Sequence, residues 1–405
     1  MNLALDYTNS EVRNAEITVS GSKSESNRLL ILEQWFPNLL LKNLSDSDDT
    51  RHLQKALSST DAIIDIGHAG TAMRFLTAYF AVAEGREHIL TGSERMQNRP
   101  IRILVDALRM LGATIDYVEK EGYPPLRIKG KNILKDKVRI QGNVSSQYIS
   151  ALLLIAPKLK NGLEIELLET VTSRPYLEMT LDLLAQLGID TSFKGNSIKV
   201  FPKNEIDDKV ITIESDWSSA SYYYSLVALS KAGTSITLSA FKKDSLQGDS
   251  VLAKIYRDFG VETIFGNNTI VLTKTEGHKK SIDLDLSNAP DIAQTIAVTC
   301  FGLGMECHLR GLHTLKIKET DRLVALQNEL QKFGASVRIT DDSIVLKPKQ
   351  SGPDEQVIVQ TYNDHRMAMA FAPLSLKIPL TIADSEVVTK SYVTFWEDFN
   401  KCFRV

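Results

Sequence analysis

Long apolar runs are missing from this sequence. No stretch approaches the ~20 consecutive apolar residues that a membrane helix requires, and the opening MNLALDYTNSEVRN lacks the charged-then-apolar order of a secretory signal. Cysteine is scarce. Cys300, Cys307 and Cys402 are an odd number without metal-ligand spacing, which excludes a disulfide framework and fits a reducing compartment. Cys300 lies in an apolar run and reads as a core residue. The seven histidines are scattered, so no metal site is expected. A net charge of -3 is not the cationic excess that a nucleic-acid surface needs. Neither GxxxxGK followed by Ser or Thr, nor GxGxxG after a strand, is present, so nucleotide cofactors lose support. The expectation is a soluble, cytoplasmic monomer acting on small molecules, with no cofactor, metal, nucleic acid or membrane partner.

What the chain does contain is a repeat. At 405 residues it is long for one core, and two domains are the natural expectation. A helix ending in Gly, followed by a short strand, recurs around Gly112, Gly188, Gly260 and Gly334 at nearly equal intervals. A Gly just past a helix end is the usual left-handed cap, so each marks a helix-to-strand turn. A second such series runs through Gly85, Gly162, Gly233 and Gly304. Long periods of this kind indicate repeated supersecondary units rather than a fine solenoid. Four units begin near Thr71, Ser146, Ser218 and Asp291; less complete ones span Ser24–Ile66 and Asp364 to the C-terminus. Counting three units to a domain predicts one α/β domain from residues 21-214 and a discontinuous one from 1-20 plus 215-405.

The helix starts share a chemistry. Gly21–Arg28, Gly67–Arg74, Ser145–Gln147, Asp216–Ser221, Ala289–Asp291 and Asn363–Arg366 are rich in Ser, Thr, Asp and Asn, as N-caps require. Capping does not account for Lys23, Arg28, Arg74 and Arg366, because cations near helix N-termini oppose the dipole by about 0.3–1 kcal/mol each when exposed. An anion at the junction would reverse that sign, since backbone N–H groups, dipole and cation all favour it. Lys318-Glu319-Thr320-Asp321-Arg322-Leu323 opens an amphipathic helix (Leu323, Leu326, Leu330, Phe333). Taken alone, it reads first as an exposed first turn, whose acidic groups suit the helix dipole. Further cations stand in the polar loop Gly92–Pro100, in Ser173-Arg174-Pro175-Tyr176, and at Lys390. The run Tyr222-Tyr223-Tyr224 is expected to divide between core and surface. Ser145-Ser146 has no nucleophile-elbow context.

Gly21–Arg28, Ala69–Arg74, Glu94–Arg99, Val144–Gln147, Ser173–Tyr176, Pro290–Ala293, Lys318–Leu323 and Tyr362–Ala368 (YNDHRMA) follow in order along nearly the whole chain. Together they closely resemble the EPSP synthase family, the 3-phosphoshikimate 1-carboxyvinyltransferases. The resemblance implies the two-domain enolpyruvyltransferase fold, an α/β architecture with three βαβαββ units per domain (an inside-out α/β barrel) and an active site in the interdomain cleft, which should close on binding. It implies transfer of the enolpyruvyl group of phosphoenolpyruvate to the 5-hydroxyl of shikimate 3-phosphate. Carried over by motif, Lys23, Ser24, Arg28, Ser145, Ser146, Gln147, Ser173, Tyr176, Asp291 and Lys318 would hold shikimate 3-phosphate. Lys23, Gly70, Arg95, Gln147, Arg322, Arg366 and Lys390 would hold phosphoenolpyruvate. Asp291, Glu319 and Lys23 would be catalytic.

Four positions depart from the family pattern: His68 and Thr314 where Asn is usual, and Phe75 and Val393 where Pro is. They bear on the shape of the phosphoenolpyruvate pocket and on inhibitor response. Within the fold, the UDP-N-acetylglucosamine enolpyruvyltransferases commonly carry a reactive loop Cys, and no Cys precedes Cys300 here. The RNA 3′-phosphate cyclases would need a nucleotide-handling His and a more basic face. A non-catalytic anion-binding relative is the reading from another class. Intact Lys23, Asp291, Glu319 and Arg366 oppose it.

Overall fold

The computed structural model describes residues 1–143, 145–169, 174–348 and 357–403. The chain forms two compact units, one of Met1–Ser20 with Glu214–Val405 and one of Gly21–Ile213. No helix among the described residues is long and apolar enough to cross a membrane.

In the Gly21–Ile213 unit, Ile63–Asp65 pairs parallel with Glu87–Thr91, which pairs antiparallel with Leu126–Lys129, itself antiparallel to Thr114–Tyr117. The same order recurs as Lys137–Gln141, Leu163–Leu168, Ser197–Val200 and Thr191–Lys194. A parallel pair needs a crossover, and helices Gly70–Val82 and Ser146–Ile155 supply it. Gly112 (φ 112°) closes helix Arg102–Leu111 in the left-handed conformation and turns the chain into Thr114–Tyr117, as its position predicts.

The other unit repeats the pattern twice, with sheets ordered Ala15–Thr18, Ser235–Ser239, Thr269–Lys274, Val261–Phe265 and Ser281–Asp285, Glu306–Arg310, Ile344–Lys347, Ser336–Ile339. A three-stranded sheet joins Val357–Val359, Leu380–Ile382 and Leu3–Leu5. The segment before Gly260 is less regular than the repeat predicts, a succession of short turns Gly248–Val251, Leu252–Ile255 and Tyr256–Phe259.

The repeat conceals an exchange of strands. Ala15–Thr18 precedes helix Lys23–Trp35 in sequence but pairs with Ser235–Ser239. Lys209–Thr212 precedes helix Trp217–Leu229 but pairs with Leu39–Lys42. Each unit is thus completed by a strand that the sequence places beside the other unit's first helix, so the chain passes between units twice.

Helices Gly70–Val82 and Ser146–Ile155 in one unit, and Trp217–Leu229, Ala293–Leu303 and His365–Phe371 in the other, are apolar nearly all round and almost fully buried, as helices packed on every side must be. This corrects the expectation for Tyr222, Tyr223 and Tyr224: all three are interior. Tyr223 reaches the Tyr392 hydroxyl at 2.8 Å and Tyr224 the Thr263 hydroxyl at 2.8 Å, so each of these two buried phenols has a partner. The buried helices begin with the polar segments singled out above, which brings those segments to the ends of the cores.

Candidate active site

In the Gly21–Ile213 unit, Ser22 caps helix Lys23–Trp35 by accepting from the Glu25 N–H at 3.4 Å. Lys23, partly buried, lies 3.4 Å from the Asp49 carboxylate, and Ser24 is partly exposed beside it. Arg28 is turned inward. Its Nε donates to Thr180 Oγ1 (2.7 Å), Nη1 to the Ser24 carbonyl (2.8 Å), and Nη2 to Ser150 Oγ (3.2 Å) and the Tyr176 carbonyl (3.3 Å). Burial pushes this guanidinium down to about 10. Arg28 therefore bolts the first helix to Ser146–Ile155 and Arg174–Gln186, and so orients Tyr176.

Gly70 opens helix Gly70–Val82, whose N-cap Ala69 contributes no side-chain bond. A Cβ at Gly70 would lie 2.4 Å from Arg99 Nη1, so glycine here seats a guanidinium over the first turn. Arg74, another helix-start cation, is buried. It donates from Nη1 to the Gly70 carbonyl (3.1 Å) and from Nη2 to the Pro100 carbonyl (3.2 Å). Burial first, and then repulsion from Arg99, push it down to about 10. Arg95 stands exposed on the short helix Glu94–Gln97. Ser145 caps helix Ser146–Ile155 by accepting from the Gln147 N–H at 3.4 Å, and Gln147 Nε2 donates to Thr71 Oγ1 at 3.2 Å. That bond ties together two helix starts that are distant in sequence. Ser173 lies outside the described residues.

In the other unit the charges converge on two carboxylates. Asp291, in the turn Pro290–Ile292, receives Arg322 Nη1 (2.9 Å) and Arg366 Nη2 (3.1 Å), with Lys318 Nζ at 3.5 Å. Glu319 lies between Arg322 Nη2 (2.7 Å) and Lys390 Nζ (2.6 Å). Asp364, fully buried, accepts from Arg322 Nε (2.6 Å) and from the Arg366 backbone N–H (2.9 Å), so one side chain caps its helix and pins the neighbouring arginine. Asp321 caps helix Arg322–Lys332 through the Leu323 and Val324 N–H groups. The dense charges of Lys318–Arg322 are thus no exposed first turn, since Arg322 is 2% exposed.

Burial drives the Asp291 carboxyl upward, but Arg366, Lys318 and Arg322 overcome it and hold it well below the ordinary carboxylate range. Burial lowers Lys318, and Asp291 only partly restores it. Burial is the largest single influence on Arg366 and lowers it, but Asp291, Tyr222, Asp249 and Asp216 together overcome it and leave the guanidinium well above its ordinary value. Lys318, Arg322, Arg366 and Lys390 are each held against at least one of these carboxylates. That arrangement suits an anionic ligand able to displace carboxylates from cations. Among the described residues no group of three or more His, Cys, Asp or Glu could hold a metal.

Sequence reasoning missed several members. Asp364 was legible only as a cap, although it stands two residues before Arg366. Arg99 had a signal in the polar loop but no distinct role. Ser218 was legible only as part of a helix start, and Asp49 and Asp249 carried no signal, because their partners are distant in sequence.

The sequence profile of the EPSP synthase family (3-phosphoshikimate 1-carboxyvinyltransferase) matches residues 38–399. The 3-phosphoshikimate 1-carboxyvinyltransferase of Bacteroides fragilis YCH46 is 44% identical over 390 residues, covering 96% of this chain and 95% of that protein. The Haemophilus influenzae Rd protein of the same name is 37% identical over 423 residues, covering 95% of each. Among solved structures, an EPSP synthase from Acinetobacter baumannii superposes with a TM-score of 0.80 at 21% identity, over 99% of this chain and 98% of that one. That likeness bears on the fold.

Proposed function

This chain belongs to the EPSP synthase family, and we propose that the cation-rich helix starts of its two units are the residues that carry the family's reaction. The enzyme transfers the enolpyruvyl group of phosphoenolpyruvate to the 5-hydroxyl of shikimate 3-phosphate and releases phosphate. The proposal assigns shikimate 3-phosphate to Lys23, Ser24, Arg28, Ser145, Ser146, Gln147, Ser173, Tyr176, Asp291 and Lys318. Phosphoenolpyruvate is assigned to Lys23, Gly70, Arg95, Gln147, Arg322, Arg366 and Lys390.

The observation that carries this assignment is the clamp on Asp291. Addition requires a base for the 5-hydroxyl proton and an acid for C3 of the enol. Elimination then requires removal of a C3 proton as phosphate leaves. Asp291 is the proposed base for the hydroxyl and Glu319 the group that delivers and recovers the C3 proton, with Lys23 stabilising developing charge. A carboxylate held far below its ordinary range is a poor base. Anionic substrates change that. A phosphate and a carboxylate that take Arg322, Arg366 and Lys390 as partners weaken the pull on Asp291 and Glu319, and proton affinity rises where it is needed. The clamp thus keeps Asp291 ionised and oriented until substrate arrives; Glu319, once its cations turn to substrate, takes up the solvent proton that it delivers to C3 and later recovers, and the hydroxyl proton held by Asp291 leaves with the phosphate.

Three buried free cysteines support a reducing, cytoplasmic setting, and the monomer is the proposed active species. The test is a coupled phosphate-release assay. Phosphate is expected only when phosphoenolpyruvate and shikimate 3-phosphate are supplied together. Release from phosphoenolpyruvate alone, or none with both, would reject the reading.

A further inference from the structure

A buried carboxyl group with no place in the scheme above stands behind Arg366. Asp249 lies in the turn Gly248–Val251 and is 5% exposed. Its Oδ2 is hydrogen-bonded to the Ser218 hydroxyl, and Ser218 Oγ accepts from Arg366 Nη2 at 3.3 Å. The neighbouring residues hold this segment across the start of helix Trp217–Leu229: Gln247 Oε1 accepts from the Trp217 N–H (2.9 Å) while its Nε2 donates to the Ser215 carbonyl (2.9 Å).

We propose that Asp249 is a positioning residue for phosphoenolpyruvate, fixing the Arg366 guanidinium through the Ser218 hydroxyl and acting as a neutral carboxylic acid. This deepens the reading above and rests on Arg366 being a phosphoenolpyruvate ligand.

Two features of the geometry carry it. First, among the described residues the guanidinium of Arg366 donates to three acceptors: the Asp291 carbonyl (3.1 Å), the Asp291 carboxylate (3.1 Å) and Ser218 (3.3 Å). An anionic substrate competes with the Asp291 carboxylate for this guanidinium. It does not compete for Ser218, so the Ser218–Asp249 anchor holds Arg366 in register once the clamp loosens. Second, Asp249 Oδ1 is buried without a hydrogen-bond partner. A bare buried oxygen is tolerable on a neutral carboxyl and costly on a carboxylate. The surrounding charges agree. Burial and then Asp291 push Asp249 up to about 7, with Asp216 adding to the rise and Arg366 and the Ser218 bond opposing it. These groups come from the start of helix Trp217–Leu229, from the Pro290–Ile292 turn and from helix His365–Phe371. Near neutrality, a loss of the Asp249 proton would place a second negative charge behind the arginine that receives an anion.

Steady-state kinetics of phosphate release, varying each substrate separately, test the link. Ser218→Ala and Asp249→Ala are expected to raise KM for phosphoenolpyruvate about tenfold, with KM for shikimate 3-phosphate within about twofold of wild type. Asp249→Asn cannot ionise, so its KM for phosphoenolpyruvate should be several-fold lower than wild type at pH 8, a gap that narrows toward pH 6. Taking the ratio of the two proteins cancels ionisation of the substrate. A merely structural aspartate would change both KM values and leave that ratio independent of pH. If Asp249→Ala does not fold, Ser218→Ala removes the same link with little lost volume. Wild-type KM in Ser218→Ala, or a pH-independent Asn-to-wild-type ratio, overturns the proposal. An Arg366→Ala variant separates the premise: an unaltered KM for phosphoenolpyruvate there would overturn the inference through the role assigned to Arg366.

Discussion

Arg322→Met replaces a cation paired with three carboxylates by an apolar side chain. Arg322 is 2% exposed and binds Asp364, Asp291 and Glu319 at 2.6, 2.9 and 2.7 Å. The three carboxylates would not suffer equally. Asp291 keeps Arg366 and Lys318, and Glu319 keeps Lys390. Asp364 keeps the Arg366 backbone N–H at 2.9 Å, with the His365 ring 3.8 Å away, and has no other Lys or Arg partner among the described residues. Breaking a buried pair by removing one partner costs about 3–5 kcal/mol, because a buried charge is left uncompensated. In a unit of this size each kcal/mol shifts Tm by about 2–4 °C, so a loss of about 6–20 °C is expected. The pH dependence gives the sign. Asp291 is depressed in the folded state, so its clamp contributes stability above the unfolded value of 3.8 that disappears as pH falls through the folded value. The variant loses part of that contribution. Its Tm deficit should therefore stay nearly constant from pH 8 down to about pH 4 and shrink only below 3.8, as the pH falls toward the folded value, read by circular dichroism or scanning calorimetry. A deficit below about 2 °C across that range would refute the clamp.

Two further outcomes follow from the same geometry. Asp291→Asn should abolish turnover, at least the ~10²–10⁴-fold expected for losing a general base, while calorimetry still detects shikimate 3-phosphate binding; near-wild-type turnover would reject the assignment. Gly70→Ala places a methyl 2.4 Å from Arg99 Nη1, and the flexible guanidinium must move. KM for phosphoenolpyruvate should rise several-fold with Tm nearly unchanged, and a large Tm loss with unaltered KM would count against a binding role for this helix start.

Much of the molecule follows from local rules that the sequence expresses directly. A left-handed glycine ends a helix wherever the chain must turn, so the recurrence of Gly112, Gly260 and Gly304 as caps made the α/β repeat legible. N-cap chemistry marked the helix starts, and the order of motifs along the chain identified the family. None of these needs to know which elements touch. The strand exchange does: Ala15–Thr18 beside Ser235–Ser239 and Lys209–Thr212 beside Leu39–Lys42 depend on hydrogen bonds between segments far apart in sequence. So do the fates of like-looking residues. Arg28 and Arg74 read the same as Arg366 at a helix start, yet the first two bond mainly to hydroxyls and carbonyls while the third meets a carboxylate. Asp249 gave no signal because an aspartate acquires its character from burial, from a serine 31 positions away and from the charges beyond it. Local backbone preferences act over one turn of chain and survive any fold, whereas the proton affinity and partners of a buried charge are set by whatever the tertiary structure packs around it.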